Sequence, residues 1–146
     1  MARIRISLPQ SFSFTTHIPI RITDLNYGGH VGNDAILSLI HEARMQYLHS
    51  LGLTELQFAG VGLIMSDVAI EFKGEVFYGD ILTARVTASE FSRVGFDLFY
   101  QFTKSKDGTE SPVAVAKTGM VCFDYGNRKV AMLPEEAKRS MVNGER

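Results

Sequence analysis

One segment restricts the possible folds more than any other. Asp34 to Leu51 reads as the single long helix of the chain. Ile36, Ile40, Ala43 and Tyr47 recur at helical spacing, and Leu37, Leu48 and Leu51 widen the apolar stripe. Ser38, Glu42 and Gln46 form only a narrow polar line. A helix this apolar has to be wrapped on most sides by other structure. Asn33 or Asp34 is expected at its N-cap, and Gly52 follows its end.

The wrapping material alternates with period two, which is the signature of strands. Phe12, Phe14, Thr16, Ile18, Ile20 and Ile22 share one parity before the helix. Pro19 has the other parity and lacks an N–H, so this strand belongs at an edge or carries a bulge. After the helix come Val68 to Phe72, Leu82 to Ala88, Val94 to Phe102 and a nearly continuous apolar run from Val113 to Phe123, the last expected to be central. Turn chemistry separates them: "YGD" at 78–80, "KDG" at 106–108 and "YGN" at 125–127. "LPEEAKRSM" predicts a short C-terminal helix with Pro134 near its first turn. Short turns favour antiparallel neighbours, and one helix then lies against one sheet face. The class expected is α+β, in a single domain over 1–146.

Composition narrows the function. With 15 Lys and Arg against 16 Asp and Glu, bulk electrostatics do not favour nucleic acid. No polybasic run suggests a membrane surface, and no apolar run is long enough for a span. The N-terminal stretch lacks the apolar core of a signal peptide, so the expectation is a cytoplasmic protein. A lone Cys122 excludes an internal disulfide and a multi-thiolate metal site, and its apolar surroundings predict a buried thiol. His41 and His49 are eight apart, which is not a zinc-helix spacing. "GGHVGN" has neither the Lys-Ser/Thr ending of a phosphate loop nor the spacing of a dinucleotide fingerprint, and no G-x-S-x-G elbow occurs. No metal and no cofactor are expected.

The chemistry concentrates in residues 24–34, "DLNYGGHVGND". This turn ends at a helix N-terminus, where free N–H groups and the macrodipole favour an oxygen carrying negative charge. Its glycines allow close approach to the backbone. Asp24, Asn26, His30, Asn33 and Asp34 cluster in it, and Glu42 lies about two turns into the helix. The set suits polarising a carbonyl while a carboxylate or imidazole handles water. A plain tight turn, whose polar residues satisfy local backbone groups, fits the same residues.

Three stretches together resemble the hotdog-fold acyl-CoA thioesterases, in the branch that includes 4-hydroxybenzoyl-CoA thioesterase and the Tol–Pal-linked enzymes. They are "RITDLNYGGHVGNDAILSLIHEAR", "IEFKGEVFYGDIL" and "VCFDYGNRKVAMLPEE", and the resemblance spans roughly residues 12–134. It implies a five-stranded antiparallel sheet wrapped around the helix. It further implies a homodimer, or a dimer of dimers, with active sites at the interface. The substrate implied is an acyl thioester of CoA or of acyl carrier protein, cleaved to free acid and thiol. Gly28, Gly29, Val31, Gly32 and Asn33 would surround the thioester carbonyl, with Asp34 capping the helix. The family's catalytic carboxylate occupies the second acidic position of D-x-D. Here Asp24 matches the first position, and the second is Asn26, which cannot act as a base. Plant-type acyl carrier protein thioesterases have a similar D-x-N turn, whose histidine corresponds to His30. A hydrolase then needs Asp24 or Glu42 as the carboxylate, with His30 assisting. The dehydratase branch fits less well, because "GHVGNDAIL" has no proline. The alternative function is a module that binds acyl-CoA without hydrolysing it.

Overall fold

The structure is a computed structural model and describes residues 1–144. The chain runs β1 (Phe14–Pro19), a 3-10 turn (Ile22–Asp24), α1 (Asn33–Ser50), β2 (Gly62–Phe72), β3 (Ile81–Ser89), β4 (Gly95–Lys106), β5 (Thr109–Asp124), β6 (Lys129–Val130) and α2 (Glu135–Asn143). All pairings are antiparallel. The five long strands lie in the order β1-β3-β4-β5-β2, and the two-residue β6 extends β5. The α+β layout with one long helix matches the expectation.

Two consecutive strands are not neighbours. The segment 73–80 between β2 and β3 is as short as a hairpin, but β4 and β5 lie between the strands it joins. Three strand spacings amount to about 14 Å, which eight residues span easily. β1, with Pro19, is an edge strand as its missing N–H requires. The strand register ends at Pro19, and the 3-10 turn then leaves Ile22 largely exposed. β2 begins well before Val68, because a bulge between Met65 and Asp67 reverses its parity and hides the first half of the alternation. The β5 run is interior, but β4 holds the middle position.

Ile36, Leu39, Ile40, Ala43, Arg44, Tyr47 and Leu48 are the buried face of α1. They pack on the inward residues of the sheet, including Leu82, Ala84 and Val86 of β3 and Phe96, Leu98, Tyr100 and Phe102 of β4. Leu37 is exposed and Leu39 takes its expected place in the core. The N-cap is Gly32, not Asn33 or Asp34, and no side chain hydrogen-bonds into the cap. Asp34 sits within the first turn, where its charge still complements the dipole. The C-terminal helix forms as expected, with Pro134 as its N-cap.

A buried polar chain ties α1 to the sheet. Arg44 is only 5% exposed. Its Nη1 donates to Tyr100 Oη at 3.3 Å, and Tyr100 Oη pairs with Thr118 Oγ1 at 2.7 Å. Arg44 Nε lies 3.7 Å from Glu55 Oε2, and His41 Nε2 meets the other Glu55 oxygen at 2.7 Å. Burial, against the opposing influence of Arg44, raises the Tyr100 phenol above its ordinary value.

Candidate active site

The turn that enters α1 is built from backbone inward. Asp24 is buried, and its carboxylate accepts from Arg21 N (2.8 Å) and Arg21 Nη2 (3.3 Å). Those bonds close the 3-10 turn. Asn26 opens the next one: its Oδ1 accepts from Gly28 N at 2.9 Å, its backbone carbonyl from Gly29 N at 3.1 Å, and its N–H donates to the His30 carbonyl at 2.9 Å. This is an Asx-type turn, which asparagine and aspartate favour alike. Gly29 holds φ at +83°, and a side chain added there would meet nothing within 4 Å. The left-handed φ is what calls for glycine at this position.

Backbone pairing then fixes the turn to the β2–β3 connection. Val31 N donates to the Val76 carbonyl at 2.9 Å, and His30 pairs with Phe77 as a β-bridge. Phe77 is itself held: its N–H donates to Asp80 Oδ2 at 2.9 Å, and Lys104 Nζ reaches the same oxygen at 3.1 Å. Burial works against ionising Asp80, but these donors outweigh it and hold its carboxyl below the usual range. Gly74 lets the connection press on β5, since a β-carbon there would come within 2.5 Å of the Pro112 carbonyl oxygen.

A cleft of about 310 Å³ lies between the two segments, lined by His30, Val31, Asn33 and Ile36 on one side and by Phe72, Lys73, Gly74, Glu75 and Val76 on the other. Of the residues singled out in the sequence, His30, Val31 and Asn33 line it. Gly32 and Asn26 stand at its helical rim: a β-carbon on Gly32 would lie 2.7 Å from Asp34 Oδ1 and 3.5 Å from Asn26 Nδ2. Gly28 lies against His30, its would-be β-carbon 3.6 Å from Nε2. The His30 Nδ1 is 3.3 Å from the Val31 carbonyl. A carbonyl only accepts, so Nδ1 is the donor in this contact, and the neutral tautomer that makes it offers Nε2 as an acceptor.

Asp24 and Glu42 stand outside the cleft. Glu42 is exposed on α1, and its Oε2 accepts from Gln46 Nε2 at 2.6 Å; Thr16 Oγ1 in turn donates to Gln46 Oε1 at 2.5 Å. Nine residues of helix, about 13 Å, separate Glu42 from Asn33. The opposite wall, Phe72 to Val76, enters the sequence reading only as the end of a strand and as part of the second stretch that resembles the family. Its signal was present in "IEFKGEVFYGDIL", but nothing local said that it would fold against "GGHVGN".

A long helix held by an antiparallel sheet, with a glycine-rich turn at the helix entrance, defines the hotdog class. The profile of the thioesterase-like superfamily matches residues 20–141, and the chain belongs to that family. A thioester hydrolase role follows from the membership. Among solved structures, the fold is similar to a thioesterase-superfamily protein from Jannaschia sp. CCS1, at 18% identity and a TM-score of 0.81, covering 93% of this chain and 85% of that one. It is also similar to a 1,4-dihydroxy-2-naphthoyl-CoA thioesterase from Synechocystis, at 24% identity and a TM-score of 0.79, covering 89% and 96%. A third is an aspartate-to-asparagine mutant of 4-hydroxybenzoyl-CoA thioesterase in complex with 4-hydroxybenzoyl-CoA, at 20% identity and a TM-score of 0.79, covering 88% and 97%. None of the curated proteins is a sequence match. Among the described residues, no helix is long and apolar enough to cross a membrane.

Proposed function

We propose that the chain hydrolyses acyl-CoA thioesters at the entrance of α1, working as a homodimer. The observation that carries this reading is the open helix N-terminus beside His30. Among the described residues, no hydrogen bond occupies the N–H groups of Asn33, Asp34 or Ala35. Those donors sit at the positive end of the dipole and suit the oxygen of a thioester under attack. Water adds to the carbonyl carbon, and its proton passes to a carboxylate. The C–S bond breaks as the carbonyl reforms, and the thiolate takes the proton to leave free acid and thiol.

The base in this reading is Glu42 of a second copy of the chain. The helix distance keeps Glu42 away from its own Asn33, and Asp24 is tied to Arg21. Asp24 therefore positions the turn, and Nε2 of His30 orients the water. Asn26 keeps the Asx turn and offers its Nδ2 at the helical rim. Gly28, Gly32 and Val31 shape the approach to the carbonyl. Dimerisation is supported by β2, which pairs on one side only and leaves Met65 and Val68 partly exposed.

The test is thiol release from a panel of fatty and aromatic acyl-CoAs, with binding measured on the same panel. Turnover that falls in both His30→Ala and Glu42→Gln supports the proposal. Asn26 favours the second reading, an acyl-CoA binder without turnover, and saturable binding with no thiol release would establish that instead. A monomer in light scattering at micromolar concentration would remove Glu42 as the base.

A further inference from the structure

The sequence before β1 forms an arm that lies outside the residues matched by the family profile. The arm is anchored: Ile6 N donates to Glu71 Oε2 of β2 at 2.7 Å. Between the arm and the sheet is a groove of about 730 Å³, lined by Met1 to Arg5 and by Ile70, Glu71, Phe72, Lys73 and Pro112. Phe72 and Lys73 line both this groove and the cleft at His30. The two cavities therefore adjoin across these residues.

The groove is cationic on a chain whose net charge is −1. Arg3, Arg5 and Lys73 face it with Glu71 as the only acidic lining residue, and Glu71 is already engaged by the Ile6 N–H. None of the three cations has a salt-bridge partner among the described residues. Unpaired cations along a groove that leaves a thioester site fit an anionic extension of the substrate. We infer that the arm, through Arg3 and Arg5 with Lys73, holds the phosphorylated nucleotide end of CoA while the acyl group lies at His30. The volume is within the usual range for small-molecule sites, and the exposed apolar Ile4 and Phe72 flank the charges as surfaces for a base. An acidic carrier protein would need a far wider charged face than three side chains. The inference rests on the proposed thioester site, but it concerns the carrier and not the chemistry.

The experiment compares one acyl group on two carriers, CoA and pantetheine, in the wild type and in Arg3→Ala/Arg5→Ala. The ratio of kcat/KM for the CoA ester to that for the pantetheine ester should fall roughly fivefold to tenfold in the double variant, through KM. The wild-type ratio should also fall with added salt, and the variant should lose that dependence. Adenosine 3′,5′-bisphosphate is the direct probe: it should bind the wild type and compete with the CoA ester, and bind the variant more weakly. An unchanged ratio, or a bisphosphate affinity equal in the two proteins, overturns the inference even if both esters are hydrolysed. Turnover of acyl carrier protein esters that alone depends on the arginines overturns it too. If neither ester is hydrolysed, the proposed function fails, and the bisphosphate measurement still decides the arm.

Discussion

Glu42 and Arg44 are two residues apart on one helix and have opposite surroundings. Glu42 is exposed and accepts a side-chain hydrogen bond from Gln46, which in turn accepts from Thr16. Arg44 is buried and reaches Tyr100, Glu55 and the sulfur of Met65. The same contrast holds for the whole element. The entrance of α1 keeps its donors free, and the buried face has nearly every group packed. One helix thus divides between a rim available for chemistry and a face committed to stability. Isolated buried charge is costly, so the inward arginine is tolerable only with its partners in place.

The sharpest way to break this contrast is to change each side separately. Glu42→Gln should lower kcat by about 10²–10⁴, the usual contribution of a general base, and leave the urea midpoint within error of wild type. A large loss of stability instead would move Glu42 to the structural side. Arg44→Ala should do the reverse. It removes the donor to Tyr100 and the cation beside Glu55, which keep Thr118 and His41 as partners, and should cost about 2 kcal/mol in urea unfolding, with kcat per folded molecule retained. If activity falls and stability does not, the division of the helix is wrong.

Tyr47, on the same buried face, sharpens the contrast through pH. Burial pushes its phenol from the ordinary 10.0 up to about 12. The folded state keeps the proton where the unfolded state releases it, so this contribution is complete below pH 10 and is lost as pH rises towards 12. Its size is roughly 2–3 kcal/mol by linkage. Urea titrations between pH 9 and 12 measure it, and a Tyr47→Phe variant should lose that slope. An identical slope in the variant would reject the assignment.

Smaller effects are expected at the rim and in the core. Asn26→Asp preserves the oxygen that accepts from Gly28 N and replaces Nδ2 by a second carboxylate oxygen at the helix entrance. It should raise turnover by about tenfold if that position holds a base. No gain in the folded variant would leave Asn26 as a turn former. Cys122 should give no signal at all. It is fully buried, and burial lifts its thiol to about 11. Disulfide reagents at neutral pH should titrate it only after unfolding.

Much of the fold could be read in the chain because the signals were local. The α1 stripe, the alternation of β3 and β4 and the turn residues between the later strands each depend on a few neighbours. The readings that changed were those in which a distant partner overrules a local preference. Asn33 and Asp34 are good N-caps, yet Gly32 takes the position because the chain enters the helix from the bridge between His30 and Phe77. The start of β2 was hidden because a bulge reverses parity at Ser66, and Ser66 Oγ and Asp67 Oδ1 are bonded to Gly119 on another strand. At the site, the glycine-rich turn was legible and its opposite wall was not.

The sequence by itself determined the class of the protein. One apolar helix among alternating segments leaves little choice but a sheet around it, since the period of a pattern follows from backbone geometry within a few residues. It also marked residues 24–34 as the place where backbone donors and polar side chains meet. Only the tertiary structure decided what faces that turn. It brought Phe72 to Val76 against His30 and carried Asp24 into its own turn. It set Arg44 inside and Glu42 outside, and drew the N-terminal arm alongside β2. The physical reason is separation along the chain. Contacts between residues tens of positions apart depend on how the whole sheet closes around the helix, and no local period encodes that closure.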